Sequence, residues 1–141
     1  MTIFSTRRPA LRRGLLLGAA AALAATAPAA AQTVYGLVVP TGAAPVTSLV
    51  AFSAAAPGTF TSTLPVTGVT AGQTLVGLDF RPNTGELFAL GYNPTGTQAQ
   101  LYTLNLTTAA ATAVGSALTL DLGTTPDRIG FDFNPTVDRI R

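Results

Sequence analysis

The residues best suited to chemistry in this chain are two aspartates in nearly identical surroundings. A carboxylate can ligate calcium, or act as a general acid, general base or nucleophile. Calcium takes roughly six to eight oxygen ligands, and neither aspartate lies in a run of acidic residues. Both belong to the pattern Gly-apolar-Asp-Phe-x-Pro, whose residues are Gly77, Asp79 and Pro82 in the first copy and Gly130, Asp132 and Pro135 in the second. An active site is usually single, whereas a structural contact recurs with each repeat. We therefore expect both aspartates to be structural, with calcium binding or catalysis as the alternatives.

The composition removes several other chemistries. The chain has no histidine, no cysteine and no lysine. It therefore has no Ser-His-Asp or Cys-His nucleophile system, no zinc site of nitrogen and sulfur ligands, and no lysine for a Schiff base. A glycosidase with two carboxylates stays possible through Glu86, Asp121 and Asp127, although nothing in their spacing pairs them. We predict no catalytic residue and no cofactor.

The first 31 residues have the three-part organisation of an export signal. A basic start with four arginines is followed by the apolar run of residues 14–26 and by small residues that end in Ala29-Ala30-Ala31. We predict cleavage between Ala31 and Gln32, which leaves a mature domain of residues 32–141. The apolar run has 13 residues, short of the roughly 20 that span a bilayer. We therefore expect no stable membrane anchor after cleavage.

The export route has two candidates. The segment TRRPALR, at residues 6–12, resembles the twin-arginine export motif, with Ala10 where that motif prefers a bulkier apolar residue. General secretion is the alternative, because any basic signal can contain two adjacent arginines. Either route predicts a periplasmic or extracellular protein.

The charge of the mature domain differs in sign from that of the whole chain. Four of the eight arginines lie in the predicted signal, so the mature domain keeps four arginines against six acidic residues, a net charge of −2. The basic isoelectric point of the whole chain therefore results from the arginines of the predicted signal. A mildly acidic surface without lysine has no electrostatic footprint for a phosphate backbone, so we expect no nucleic-acid partner.

The sequence of the mature domain predicts an all-β fold. Short apolar or alternating runs bounded by Gly, Pro, Asn and Thr recur along it, and none shows the spacing of an amphipathic helix. The predicted strands are TVYGLVV, TSLVAF, FTSTLPV, TLVGLDF, ELFALGY, QLYTLNL, ATAVG and RIGFDF. In TLVGLDF the alternation places Val76, Leu78 and Phe80 on one face, which we expect to face the core, and Gly77 with Asp79 on the other.

The two motif copies belong to a longer internal repeat. They align at an offset of 53 residues, and Tyr35-Gly36-Leu37 aligns with Phe88-Ala89-Leu90 at the same offset. A period near 50 with about four short strands per unit is typical of β-propeller blades. We predict units at residues 33–82 and 83–135, with a third beginning at 136. Since a propeller closes with about four to eight blades, we expect an N-terminal fragment whose partners are the remaining blades, or else units that assemble between chains.

Each motif copy ends in a turn. The aspartate ends a strand just before a Pro-containing turn, where a carboxylate can accept hydrogen bonds from turn N–H groups. The preceding glycine lets a neighbouring backbone approach. Gly85 is free to take a positive φ, and Asp138, at the same position of the second copy, also tolerates that conformation.

The runs GLDFRPNTGELFALG, QLYTLNLTTAAATAVG and RIGFDFNPTVDRIR, in this order, resemble a bacterial secreted family catalogued as domain of unknown function 4394. The resemblance covers about Leu75 to Arg141. It implies an exported, propeller-like repeat protein and gives no catalytic residues to carry over. We therefore expect a non-catalytic scaffold for binding or surface interaction. The alternatives are a secreted enzyme, for example a carbohydrate-active one, whose site needs further blades, and a calcium-stabilised structural repeat.

Overall fold

The computed structural model describes residues 31–40, 46–125 and 128–141. Over these ranges the protein contains strands and no helix, so the predicted all-β class is confirmed. The strands are β1 (Thr33–Val38), β2 (Ser48–Ser53), β3 (Phe60–Pro65), β4 (Thr74–Phe80), β5 (Leu87–Asn93), β6 (Gln98–Leu104), β7 (Ala111–Thr119), β8 (Phe133–Asn134) and β9 (Arg139–Ile140). The predicted export signal, apart from Ala31, lies outside the described residues. Within those residues, no helix is long and apolar enough to cross a membrane.

The strands form three antiparallel sheets. The first has the order β1-β2-β3, the second β4-β5-β6-β7 and the third β8-β9. The expected four strands per sheet are thus present in the second sheet, while the first has three among the described residues. The first sheet begins at residue 33 as the first predicted unit does, but the second sheet begins one strand before the second predicted unit, because β4 pairs with β5 rather than with β3. The short turn between β4 and β5 makes them adjacent antiparallel neighbours.

Two predicted strands differ from the structure. A β-bulge shifts the register of β4 between Leu75 and Gly77, so Leu75 is buried in the core in place of the expected Val76. The extra residue of a bulge reverses the alternation before it. In RIGFDF only Phe133 lies in a strand, because β9 supplies a ladder of two residue pairs, Phe133 with Ile140 and Asn134 with Arg139.

The main core lies between the first and second sheets. Its buried members are Leu49, Leu75, Leu87, Ala89, Tyr102, Leu104 and Ala109. The connection from β3 to β4 closes one side of this core. Its Thr67 forms a parallel bridge with Ala110 beside β7, and its Thr70 N–H donates to the hydroxyl of Tyr102 at 3.1 Å. The first two sheets are therefore joined by backbone pairing as well as by apolar packing.

The opposite face of the second sheet packs on the C-terminal segment. The hydroxyl of Tyr92 accepts a hydrogen bond from Leu122 N at 2.9 Å. The ring of Phe88 packs on Phe133 with its centroid 5.3 Å away and an interplanar angle of 70°. The pair Tyr35 and Phe80, between the first two sheets, has a centroid distance of 5.7 Å and the same angle. Both residues of one pair lie 53 positions after those of the other, so this inter-sheet contact recurs at the spacing of the sequence repeat.

Candidate functional site

The first motif copy lies on β4, at the edge of the second sheet. Gly77 is opposite Leu90 and Asp79 is opposite Phe88 in the register. Residues directly opposite each other in a sheet share a face, so Gly77 and Asp79 point away from the main core and toward the C-terminal segment. The strand ends at Phe80, and Pro82 follows in the turn.

The carboxylate of Asp79 binds two backbone N–H groups. One oxygen accepts from Phe80 N at 2.8 Å, and the other accepts from Phe133 N at 2.8 Å. The expectation that this carboxylate bonds the N–H groups of its own turn is wrong. The turn N–H groups of Thr84 and Gly85 donate instead to the carbonyl of Arg81, and the outward face of β4 aims Asp79 at the second motif copy. A carboxylate that accepts two backbone N–H groups is a strong, fixed contact.

Gly77 lies against the same segment. A Cβ at this position would be 2.7 Å from the Cβ of Phe131, a distance that side-chain carbon atoms do not tolerate. The glycine therefore lets the second motif copy pack directly on the backbone of β4. Gly77 and Asp79 together bind the backbone around residues 131–133.

The second motif copy has a different environment. The space around Gly130 is open. Apart from its chain neighbours, no heavy atom of the described residues lies within 4 Å of the position that a Cβ would take. The Asp132 side chain is 54% exposed and pairs with Arg141. The backbone N–H of Arg141 also donates to the Asp132 carbonyl at 2.8 Å. Pro135 follows β8 as Pro82 follows β4. The two copies share one sequence pattern. Within the described residues, only the first copy has another motif copy packed against it.

The two turns that follow the motifs have equivalent backbones. Gly85 has a φ of 71° and Asp138 a φ of 50°, so both take the positive φ that the sequence predicts. The N–H of Gly85 donates to the Arg81 carbonyl at 2.8 Å, and the N–H of Asp138 donates to the Asn134 carbonyl at 2.9 Å. The turn is therefore retained although the residue type changes.

An ion pair joins these two turns. The guanidinium of Arg81 donates from Nε to Asp138 Oδ1 at 3.1 Å and from Nη2 to Oδ2 at 2.6 Å. This hydrogen bond, against a smaller effect of burial, lowers the pKa of the Asp138 carboxyl from its ordinary value and raises the pKa of Arg81. No role for Arg81 is predicted from the sequence. The available signal was charge complementarity, since Arg81 lies in the first motif and the acidic Asp138 lies in the turn after the second, 57 residues later.

Among the described residues, the remaining acidic residues form no carboxylate cluster. In the part of the chain that the structure describes, no three acidic residues form a group that could hold a metal ion. An oxygen of Asp121 accepts from Gly123 N at 2.8 Å in an exposed turn. Asp127, the third carboxylate considered for a glycosidase, lies outside the described residues. At the predicted cleavage site, Ala31 and Gln32 are exposed, and the Gln32 carbonyl accepts from Ala54 N at 2.8 Å.

This geometry defines an all-β protein whose consecutive antiparallel sheets pack through a recurring aromatic pair, with a glycine and an aspartate added between the second and third sheets. The chain belongs to the family described as domain of unknown function (DUF4394), whose sequence model matches residues 48–141. The match extends the resemblance toward the N-terminus to include β2 and β3. Comparison with the curated proteins and with the solved structures gives no match.

Proposed function

We propose that this chain is an exported, non-catalytic, β-propeller-like scaffold for binding or surface interaction. It is directed to the periplasm or the exterior by general secretion or the twin-arginine route, and its structural partners are further blades. The loops at one end of the blades are the expected contact surface, by analogy with other propellers.

One observation carries the non-catalytic role. The carboxylate of Asp79, the best candidate for chemistry in the sequence, is engaged by the N–H groups of Phe80 and Phe133. A general base or a metal ligand needs free lone pairs directed at a substrate or an ion. One oxygen of Asp79 accepts from its own strand at Phe80, and the other accepts from the backbone of the next motif copy at Phe133, which is a contact suited to joining blades.

The recurrence of contacts supports the propeller-like architecture. The aromatic pairs Tyr35–Phe80 and Phe88–Phe133 have the same interplanar angle and the same sequence offset. The pairing of Phe80 with Leu87 recurs as the pairing of Phe133 with Ile140. Successive sheets related by one repeated contact are what a propeller requires.

The substitution Asp79→Ala tests the structural role. It leaves the N–H of Phe133, a residue that is 5% exposed, without its acceptor, and an unsatisfied buried donor costs about 1–3 kcal/mol. We expect this loss in the free energy of unfolding measured by urea denaturation. The matched control is Asp132→Ala, which removes an exposed ion pair and should cost much less. Equal losses in the two variants would contradict the proposal.

Export has its own test. Expression of the full chain in a bacterial host, followed by mass spectrometry of the periplasmic fraction, should give a protein that begins at Gln32. A chain with both Arg7 and Arg8 replaced by lysine distinguishes the routes, because the twin-arginine route depends on the arginine pair and general secretion accepts any positive charge. Retention of the unprocessed wild-type chain in the cytoplasm would show that the export prediction is wrong.

A further inference from the structure

An apolar groove of about 390 Å³ lies on the outer face of the second sheet, the face that carries Phe88. Its lining includes Val114, Leu118 and Ile140, which are 39%, 65% and 42% exposed. Single exposed apolar side chains are normal on protein surfaces, whereas contiguous ones mark a surface that binds something. The groove therefore requires an occupant.

The first sheet shows what such a face binds. In its register Leu37, Leu49 and Leu64 form one row across the three strands. The second sheet carries the corresponding row in Leu90, Leu101 and Val114. The row of the first sheet is packed against the main core, where Leu49 is 2% exposed. The row of the second sheet lines the groove instead.

The residues that cover the first row come from three strands of the second sheet. Leu75 and Leu87 belong to β4 and β5, while Tyr102 and Leu104 belong to β6. On the second sheet, β8 and β9 repeat the contribution of β4 and β5, since Phe133 packs on Phe88 as Phe80 packs on Tyr35. No strand in the described ranges repeats the contribution of β6. The groove lies where that strand would pack.

We propose that this groove is the docking site for a β-hairpin of a further repeat unit, equivalent to β6 and β7. The hairpin adds to the free edge of β9, as extended segments add to exposed sheet edges. It inserts an aromatic residue and a leucine two positions apart, as Tyr102 and Leu104 are, over Leu101 and Val114. A folded second copy of this chain is a poorer occupant, because its own Tyr102 and Leu104 are 0% and 5% exposed in its core.

The inference rests on the proposed propeller-like scaffold, because it assumes that successive units repeat one contact. The test appends residues 89–141 directly after Arg141, which continues the sequence repeat in register. The appended copies of Leu101 and Val114 are changed to serine, so that the added unit carries no apolar groove of its own. The added unit should cover the groove, so fluorescence of the apolar dye ANS should fall by about half or more relative to the original chain. The thermal midpoint should rise at the same time, because apolar surface is removed from water.

Two control variants test whether the fall in dye fluorescence comes from contact between the appended unit and the groove. In the first, the tyrosine and leucine of the appended unit that copy Tyr102 and Leu104 are changed to serine. In the second, the extended chain carries Val114→Asp, a substitution at a half-exposed position. The first control should keep the dye fluorescence of the original chain, and the second should match the original chain that carries Val114→Asp. Equal fluorescence in the extended chain and in the two controls would overturn the proposal.

A second measurement applies if the extended chain does not fold. A synthetic peptide of residues 98–119 is titrated into the original chain, and the NMR shifts of the Leu101 and Val114 methyl groups are followed. Shifts confined to the groove support the proposal, and their absence overturns it. Self-association of the original chain in sedimentation, abolished by Val114→Asp, would show that a second copy is the occupant and would also overturn it. None of these results depends on the Asp79→Ala experiment, so the proposed function and this inference can fail separately.

Discussion

Gly77 is a residue at which the second motif copy packs directly on the backbone of β4. The atoms of Phe131 lie where its side chain would be, with the Phe131 Cβ 2.7 Å from the position of an added Cβ. The substitution Gly77→Ala should therefore push the C-terminal segment away from β4. Overpacking of this kind costs about 1–3 kcal/mol. We expect a loss of this size in the free energy of unfolding measured by urea denaturation.

The second motif copy provides the matched control for this prediction. Gly130 has the same sequence neighbours, and the space around its added Cβ is open. Gly130→Ala should be neutral or slightly stabilising, because alanine restricts the unfolded chain more than glycine does. A loss in Gly130→Ala as large as that in Gly77→Ala would show that backbone conformation, rather than contact with Phe131, explains the glycine.

At the scale of elements, the turn after β4 and the turn after β8 are tied by Arg81 and Asp138, which are 34% and 27% exposed. The guanidinium holds the pKa of Asp138 below its ordinary value, so the folded state favours the ionised carboxylate. This stabilisation is present above the ordinary aspartate pKa of about 3.9 and is lost as the pH falls through the lowered folded value.

The substitution Asp138→Asn tests this tie without disturbing the turn, because asparagine also tolerates a positive φ. We expect the variant to be less stable than the wild type at pH 7, with the difference shrinking toward zero in the acid range below about pH 3.9. Thermal unfolding followed by circular dichroism across pH measures it. In an Arg81→Gln background the same substitution should have little effect. If the loss of stability caused by Asp138→Asn persists at the lowest pH, or persists in the Arg81→Gln background, it comes from the turn itself and not from the ion pair.

Strands and turns could be predicted where they depend on residues that are close together in the sequence. All eight predicted runs contain strand residues, because alternation and turn residues act within a few positions. The positive φ of Gly85 and Asp138 was predictable for the same reason. The bulge at Leu75 was not, because it depends on how β4 pairs with β5. The partner of Asp79 was not predictable either, since Phe133 N lies 54 residues away in sequence and only the packing of the sheets brings it near.

At the scale of the whole molecule, one aromatic pair lies between the first and second sheets and an equivalent pair between the second and third. Between the second and third sheets a further set of groups adds to this contact, because the bulged strand β4 presents Gly77 and Asp79 to the second motif copy. The aspartate is the one charged group in this set. Whether a metal ion contributes to the contact depends on which group the carboxylate already binds. Phe133 N is that partner for Asp79, and Arg141 is the partner for Asp132.

We therefore expect calcium to add little to the stability of this chain. Two of the six acidic residues of the mature domain are paired with arginine, and Asp79 accepts two backbone N–H groups. A stabilising calcium site would need several of these oxygens together, and a ligand that binds only the folded state raises the midpoint in proportion to its occupancy. We expect the thermal midpoint to be the same in excess calcium and in excess EDTA. Magnesium at equal ionic strength is the control for nonspecific screening. A midpoint that rises with calcium alone, and no longer does so in Asp79→Ala, would show that Asp79 is a ligand and that its hydrogen bond to Phe133 is secondary.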